Sequence, residues 1–187
     1  MSKEYSIACL LDNATSEELF KCISFIEQDN SPHISLFQFK CDDQNFLTSL
    51  RKYTNNLIIS TQFFIDKISW VESNIYLDIK DDSTLKKSSD QIAEFYFNHC
   101  QIKKPLSQID FTQLNSSDVD LVRKYGIYWI KQNFRPHVTL AYQRKLAGNF
   151  NITPPKIIKI LPLDIYEIDP VGKIKMQEKP HPLFFSF

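Results

Sequence analysis

The amino-acid sequence predicts an α+β fold built largely on antiparallel sheet, and three observations lead there. Strand-like and helix-like runs are intermixed, and several strand runs follow one another with no helix between, which favours hairpins over the alternating units of a doubly wound parallel sheet. The chain has 187 residues, enough to bury one sizeable core or two small lobes sharing a cleft. One pattern also occurs twice, as "PHISL" around His33 and "PHVTL" around His137, with helix and strand material around each copy, as a two-lobed pseudo-duplication would give.

Tyr5 to Leu11, "YSIACLL", reads as a buried strand. It hands over to "TSEELFKCISFIEQ", where Thr15 and Glu18 form a capping-box pattern ahead of Leu19, Ile23 and Ile26 on one helix face. Asn30, Ser31 and Pro32 break that helix, and His33 to Lys40 has strand composition. Phe46, Leu50 and Tyr53 share one face of a second helix, and strand-like runs follow at Leu57 to Ile68 and Ile75 to Ile79. A third helix runs from Ser83 to about His99, with Leu85, Ile92 and Phe95 inward and Lys and Ser outward. A fourth starts near Ser117, places Asp118 and Asp120 at the positive end of its dipole, and stops at Gly126. The second histidine strand spans His137 to Gln143. Strand material at Ile157 to Ile168, Lys173 to Gln177 and Leu183 to Phe187 then alternates with proline-marked turns.

Composition limits the classes of function. Hydrophobic residues make up 43% and charged residues 24%, and 15 Phe, 8 Tyr and 2 Trp supply core and wall material, as in a folded domain. Lys plus Arg equals Asp plus Glu at 22 each, so no global field draws in long duplex nucleic acid, and a nucleic-acid ligand is expected to be small or locally held. Cys9, Cys22, Cys41 and Cys100 show no CxxC spacing and the first ten residues lack a secretory pattern, which predicts reduced thiols in the cytosol. No apolar run approaches the roughly 18 residues a membrane helix needs, so no membrane partner is expected.

Along a strand, residues two apart share a face, so His33 lies beside Ser35 and His137 beside Thr139, with Ile34, Leu36, Val138 and Leu140 on the opposite, apolar face. A single histidine in a strand is usually structural; two copies in the same Pro-His-x-hydroxyl-Leu order point to chemistry. Two imidazoles across a cleft divide acid and base work near neutral pH, because a free pKa of about 6.5 lets one be neutral while the other is protonated. That suits in-line displacement at phosphorus, with the neighbouring hydroxyls donating to the non-bridging oxygens where charge builds.

"HISL" and "HVTLA", the latter within "NFRPHVTLA", resemble the paired H-x-[ST]-h signatures (h, hydrophobic) of the 2H phosphoesterase superfamily, which includes 2'-5' RNA ligase-like proteins, cyclic phosphodiesterases and 2',5'-oligoadenylate phosphodiesterases. The resemblance implies a single domain, residues 1–187, made of two pseudo-symmetric lobes: two mainly antiparallel sheets flanking a central cleft, helices outside, one histidine strand from each lobe. It also implies metal-independent hydrolysis of 2',3'-cyclic phosphate or 2'-5' phosphodiester bonds in nucleotides or RNA ends, with no cofactor. His33 and His137 would be catalytic, and Ser35 and Thr139 would hold the phosphate. Two departures stand out: Ser35 keeps the hydroxyl of the commoner threonine but lacks the methyl that stiffens its rotamer, and "FQF" follows where many relatives have a small or glycine-terminated loop.

Phe37, four residues after His33, is expected either to stack on a base in the cleft or to pack in a lobe wall. Arg135 shares the face of His137 if the strand begins that early, and would then reach phosphate. Tyr142 has core parity and Gln143 cleft parity; Tyr125, Tyr128 and Trp129 read as core, with a lid as the alternative. His99 and Cys100 lack a second ligand pair at zinc spacing, so no metal is expected. His181 reads as loop, and Lys103 and Lys104 as a solvated turn. For hydrolysis of a cyclic phosphate, His137 is expected to activate water and His33 to protonate the leaving oxygen. The chain is expected to act as a monomer. The alternative from another class is a non-catalytic nucleotide- or RNA-binding module of the same fold, and a third is an unrelated interaction domain in which the motifs coincide by chance.

Overall fold

Alternating and clustered apolar residues build seven strands and four α-helices in the residues that the computed structural model describes, 2–22, 31–71, 74–80, 82–141 and 153–175. In chain order these are β1 (Lys3–Leu10), α1 (Asn13–Cys22), β2 (His33–Cys41), α2 (Gln44–Thr54), β3 (Gln62–Val71), β4 (Asn74–Ile79), α3 (Ser83–His99), α4 (Ser116–Tyr125), β5 (His137–Ala141), β6 (Ile157–Lys159) and β7 (Asp164–Ile168). The fold is therefore α+β, as the sequence predicts. No helix among the described residues is long and apolar enough to cross a membrane.

The strands differ from the expected arrangement in joining as one antiparallel sheet, in the order β6-β3-β4-β5-β2-β1-β7, rather than two. Its thinnest seam lies between β2 and β5, where Ile34 opposite Val138 is the one register pair among the described residues. The two histidine strands are thus neighbours at the middle of the sheet. At one corner the sheet closes on itself: Leu11 bridges Ile160, and the Leu161 N–H donates to the Leu10 carbonyl at 2.7 Å. The end of β1, second from one edge of the order, meets the chain just past β6 at the other edge there, and the sheet curls into a half-barrel.

Local chemistry fixes the helix ends. Asp43, Asp82 and Asn115 each accept backbone N–H bonds at the start of α2, α3 and α4, and Gly126, in the left-handed region with φ 82°, ends α4. The capping box expected at Thr15 is not used. Asp12 accepts the Thr15 N–H at 2.7 Å and α1 starts earlier, while the buried Thr15 hydroxyl accepts the Lys159 N–H at 3.1 Å. The stretch Leu57 to Thr61 is not strand either: Leu57 N–H closes a turn on the Thr54 carbonyl and Ile58 is 93% exposed. The run Ile157 to Ile168 divides into β6 and β7 around Pro162, which has no N–H to give a ladder. Ile23, Ile26, Gln143, His181, the end of the Lys173 to Gln177 run and Leu183 to Phe187 lie outside the described residues.

One face of the sheet packs on α2 and α3. Ile7, Cys9, Ile34, Phe37, Phe39, Leu77 and Val138 meet Leu50, Leu85, Ile92 and Tyr96 there. Between β1 and β2 the register shifts: Ile7 stands opposite Phe37 but Ala8 opposite Ser35, so Leu36 is an extra residue, a β-bulge. Leu36 and Phe37 consequently both point inward, each 1% exposed. A bulged residue loses its ladder partner, and here the Ser89 hydroxyl of α3 donates to the Leu36 carbonyl at 2.7 Å. Past the bulge the parity of β2 is reversed, which decides what reaches the other face.

Candidate functional site

That other face carries both histidines. Antiparallel pairing at Ile34 and Val138 puts His33 opposite Thr139 and His137 opposite Ser35. Residues opposite one another share a face, so the two imidazoles and the two hydroxyls form one four-cornered group across the seam. The sequence pairs each histidine with the hydroxyl on its own strand; the sheet adds the hydroxyl of the other.

Both imidazoles are held the same way. His33 Nδ1–H donates to the Ser31 carbonyl and His137 Nδ1–H to the Arg135 carbonyl, each at 2.8 Å and each two residues back along the chain. A carbonyl only accepts, so Nδ1 bears the proton in both rings and, in the neutral form, Nε2 is the basic atom. Nε2 of each ring is therefore the nitrogen that can take up or release a proton.

Their electrostatics differ. His33 is 4% exposed, and burial pushes its pKa down to about 4, with the nearby His137 acting in the same direction and the Ser31 carbonyl against it. Half-buried His137 is also lowered by burial, but the Arg135 carbonyl and the Asp78 carboxylate oppose the shift. Asp78 stands opposite His137 in the β4–β5 ladder and accepts a hydrogen bond from Ser69 Oγ at 3.0 Å. Tyr76, opposite Thr139, sets its ring edge-on to His137 with centroids 4.5 Å apart.

The hydroxyl of Ser35 has neighbours of its own. Ser6 Oγ lies 3.0 Å away and Gln38 Nε2 3.5 Å away. Gln38 reaches this face because the bulge reverses parity after Leu36. Sequence reasoning that assumed strict alternation missed it, yet the signal was present: the apolar positions switch from even (Ile34, Leu36) to odd (Phe37, Phe39, Cys41). Tyr76 and Asp78 were missed for another reason, since alternation places them opposite Ile75, Leu77 and Ile79 but cannot say that β4 lies beside β5.

The same bulge overturns the cleft role of Phe37. Its ring packs in the core, 5.9 Å from the ring of Phe39 and 5.1 Å from that of Tyr96. Arg135 is exposed and precedes β5, which begins only at His137, so its carbonyl rather than its guanidinium engages the imidazole. Tyr125 is core, its hydroxyl donating to Glu94 Oε1 at 2.8 Å; Tyr128 and Trp129 are half-buried and packed edge-on to each other. His99 stacks on Phe95 and bonds the carbonyl of that residue at 2.9 Å. Lys103 Nζ donates to the Cys100 carbonyl and Lys104 Nζ to Asp42. Two cavities lie away from the histidine face: one of about 650 Å³ beside Tyr53, Phe95 and His99, and one of about 440 Å³ beside Cys9, Leu57 and Ile160. Neither is lined by His33, His137, Ser35 or Thr139.

No protein-family model and no curated protein matches this chain.

Proposed function

We propose that this chain is a phosphodiesterase of the 2H phosphoesterase type, acting on 2',3'-cyclic phosphate or 2'-5' phosphodiester bonds of nucleotides or RNA ends by metal-independent general acid-base catalysis. The observation that carries the reading is the matched pair of imidazoles, each with Nδ1 tied to the carbonyl two residues back and each faced by a hydroxyl across the seam. In this reading the two ladders that meet at β2 and β5 are the two pseudo-symmetric lobes. Both halves of the acid-base pair come from one chain, so a monomer suffices.

In ring opening of a 2',3'-cyclic phosphate, one imidazole takes a proton from water at Nε2 as the water oxygen bonds to phosphorus. The bond from phosphorus to one ribose oxygen breaks, and the other imidazole gives that oxygen a proton, leaving a nucleoside phosphomonoester. Ser35 and Thr139 donate to the non-bridging oxygens. The electrostatics favour the reverse of the assignment expected from sequence: His33, lowered to about 4, is the base, and His137, beside Asp78, is the acid.

The test is a panel of 2',3'-cyclic nucleotides, 2'-5' oligoadenylates and cyclic-phosphate-ended RNA, assayed with chelator present, using wild type, His33→Ala and His137→Ala. Turnover by wild type that either substitution abolishes supports the proposal. Full activity in either variant sinks the mechanism, and tight nucleotide binding without product points instead to a binding module.

A further inference from the structure

Ser35 and Thr139 occupy equivalent places on the two histidine strands but differ in what restrains them. The second γ atom of Thr139 restricts χ1 from within. Ser35 lacks that atom, and Ser6 from β1 and Gln38 from its own strand converge on it instead. Ser6, fully buried on β1, places Oγ 3.0 Å from Ser35 Oγ, and Gln38, 8% exposed, directs Nε2 to the same oxygen at 3.5 Å. Gln38 is itself oriented. Gln108 Nε2 donates to Gln38 Oε1 at 3.2 Å, which leaves the Nε2 end to face Ser35. Gly172, at φ 89° in the turn after β7, lies near the same amide: a Cβ there would sit 3.6 Å from Gln38 Nε2.

A serine oxygen has two acceptor lone pairs and one proton. With Ser6 and Gln38 donating to it, its proton is left for a third partner, on the face it shares with His33 and His137. We propose that Gln38 is a positioning residue that, with Ser6, fixes the Ser35 hydroxyl as a dedicated donor to an unprotonated phosphate oxygen, supplying by hydrogen bonds the restraint that Thr139 carries in its own methyl. The inference rests on the phosphodiester reading of the site. It also explains the bulge at Leu36, without which position 38 would face the core.

The experiment uses the full chain and two readouts: hydrolysis of a 2',3'-cyclic nucleotide, and calorimetric binding of adenosine 2'-monophosphate. Loss of a single hydrogen bond of this kind corresponds to roughly 5- to 10-fold, so Gln38→Met is expected to lower kcat and weaken binding by about that factor. Adding Ser35→Thr to Gln38→Met is expected to bring both back to within about 2-fold of wild type, a rescue that a packing role for Gln38 does not predict. Because Gln38 is buried, the exposed Gln108→Ala serves as a second variant that leaves the core intact, and the same loss in smaller measure is expected. Unchanged kinetics and binding in both Gln38→Met and Gln108→Ala overturn the proposal, as does a loss that threonine fails to restore. A wild-type protein that neither binds nor turns over any phosphate ester overturns the phosphodiester reading, and this inference with it.

Discussion

Ile34 stands opposite Val138 across the seam of the sheet, and that pair sets the relation between the two imidazoles. His33 and His137 each precede it by one residue on antiparallel strands, so they flank it diagonally rather than meet head-on. Each imidazole has one hydroxyl two residues along its own strand and another across the seam, and under the proposed function a phosphate placed over the pair would meet acid, base and two donors together.

Replacing either imidazole by alanine is expected to lower turnover by about 10²- to 10⁴-fold, the usual worth of a general acid or base. Thr139→Ala is expected to cost less, about 10-fold, since it removes one hydrogen-bond donor and no proton carrier. Steady-state kinetics on the responsive substrate, with circular dichroism to show that the variants fold, check both.

The pH dependence follows from the two depressed imidazoles. The base works when neutral, so kcat/KM is expected to rise as pH climbs through about 4 for His33. The acid works when protonated, so kcat/KM falls above the pKa of His137, which lies below the ordinary histidine value. The result is a bell with its maximum on the acid side of neutrality. Asp78→Asn removes the charge that favours the His137 imidazolium and is expected to move the descending limb to lower pH, leaving the ascending limb in place. A descending limb that stays put in this variant counts against Asp78 as its source.

Stability carries the same signature. In the unfolded chain His33 titrates near its ordinary value of 6.5, and in the folded chain near 4. Between these values the unfolded state binds more protons, so folding stability is full above pH 6.5 and declines as the pH falls towards 4. At about 1.4 kcal/mol per pKa unit, the difference amounts to roughly 3 kcal/mol. Urea denaturation across this range is expected to show the loss in wild type and a shallower one in His33→Gln.

Phe37→Ala is expected to destabilise the fold by about 3–5 kcal/mol, because it empties a position packed between aromatic rings. A conservative Phe37→Leu is expected to leave KM near wild type. A large rise in KM with little loss of stability would return this ring to the cleft.

Much of this was legible in the sequence. Ser83–His99 as a helix, Gly126 as a helix end and the two histidine strands follow from local patterns whose cause is local: one-face spacing, left-handed glycine, alternation. What was not legible depends on distant partners. Thr15 and Glu18 make a good capping box, but Asp12 does the capping and Thr15 bonds Lys159 across the fold. Phe37 and Gln38 exchange faces because β1 pairs with β2 through a bulge that α3 helps to satisfy with Ser89. Asp78 and Tyr76 join the site only because β4 is the neighbour of β5, and strand order is not written in any one strand.

The corner where Leu11 bridges Ile160 bears on self-association. An open sheet ends in two strands whose unpaired backbone groups invite the strands of other molecules. Here the curl brings the outer end of β6 back onto the chain just past β1, and at the opposite end Ile174 bridges Ile168 while the Lys175 N–H bonds the Glu167 carbonyl along β7. Backbone that would otherwise template aggregation is spent inside the same molecule, so Leu11→Pro, which bars the Leu11 N–H from its bond to the Pro32 carbonyl and disturbs this corner, is expected to show itself first as increased aggregation.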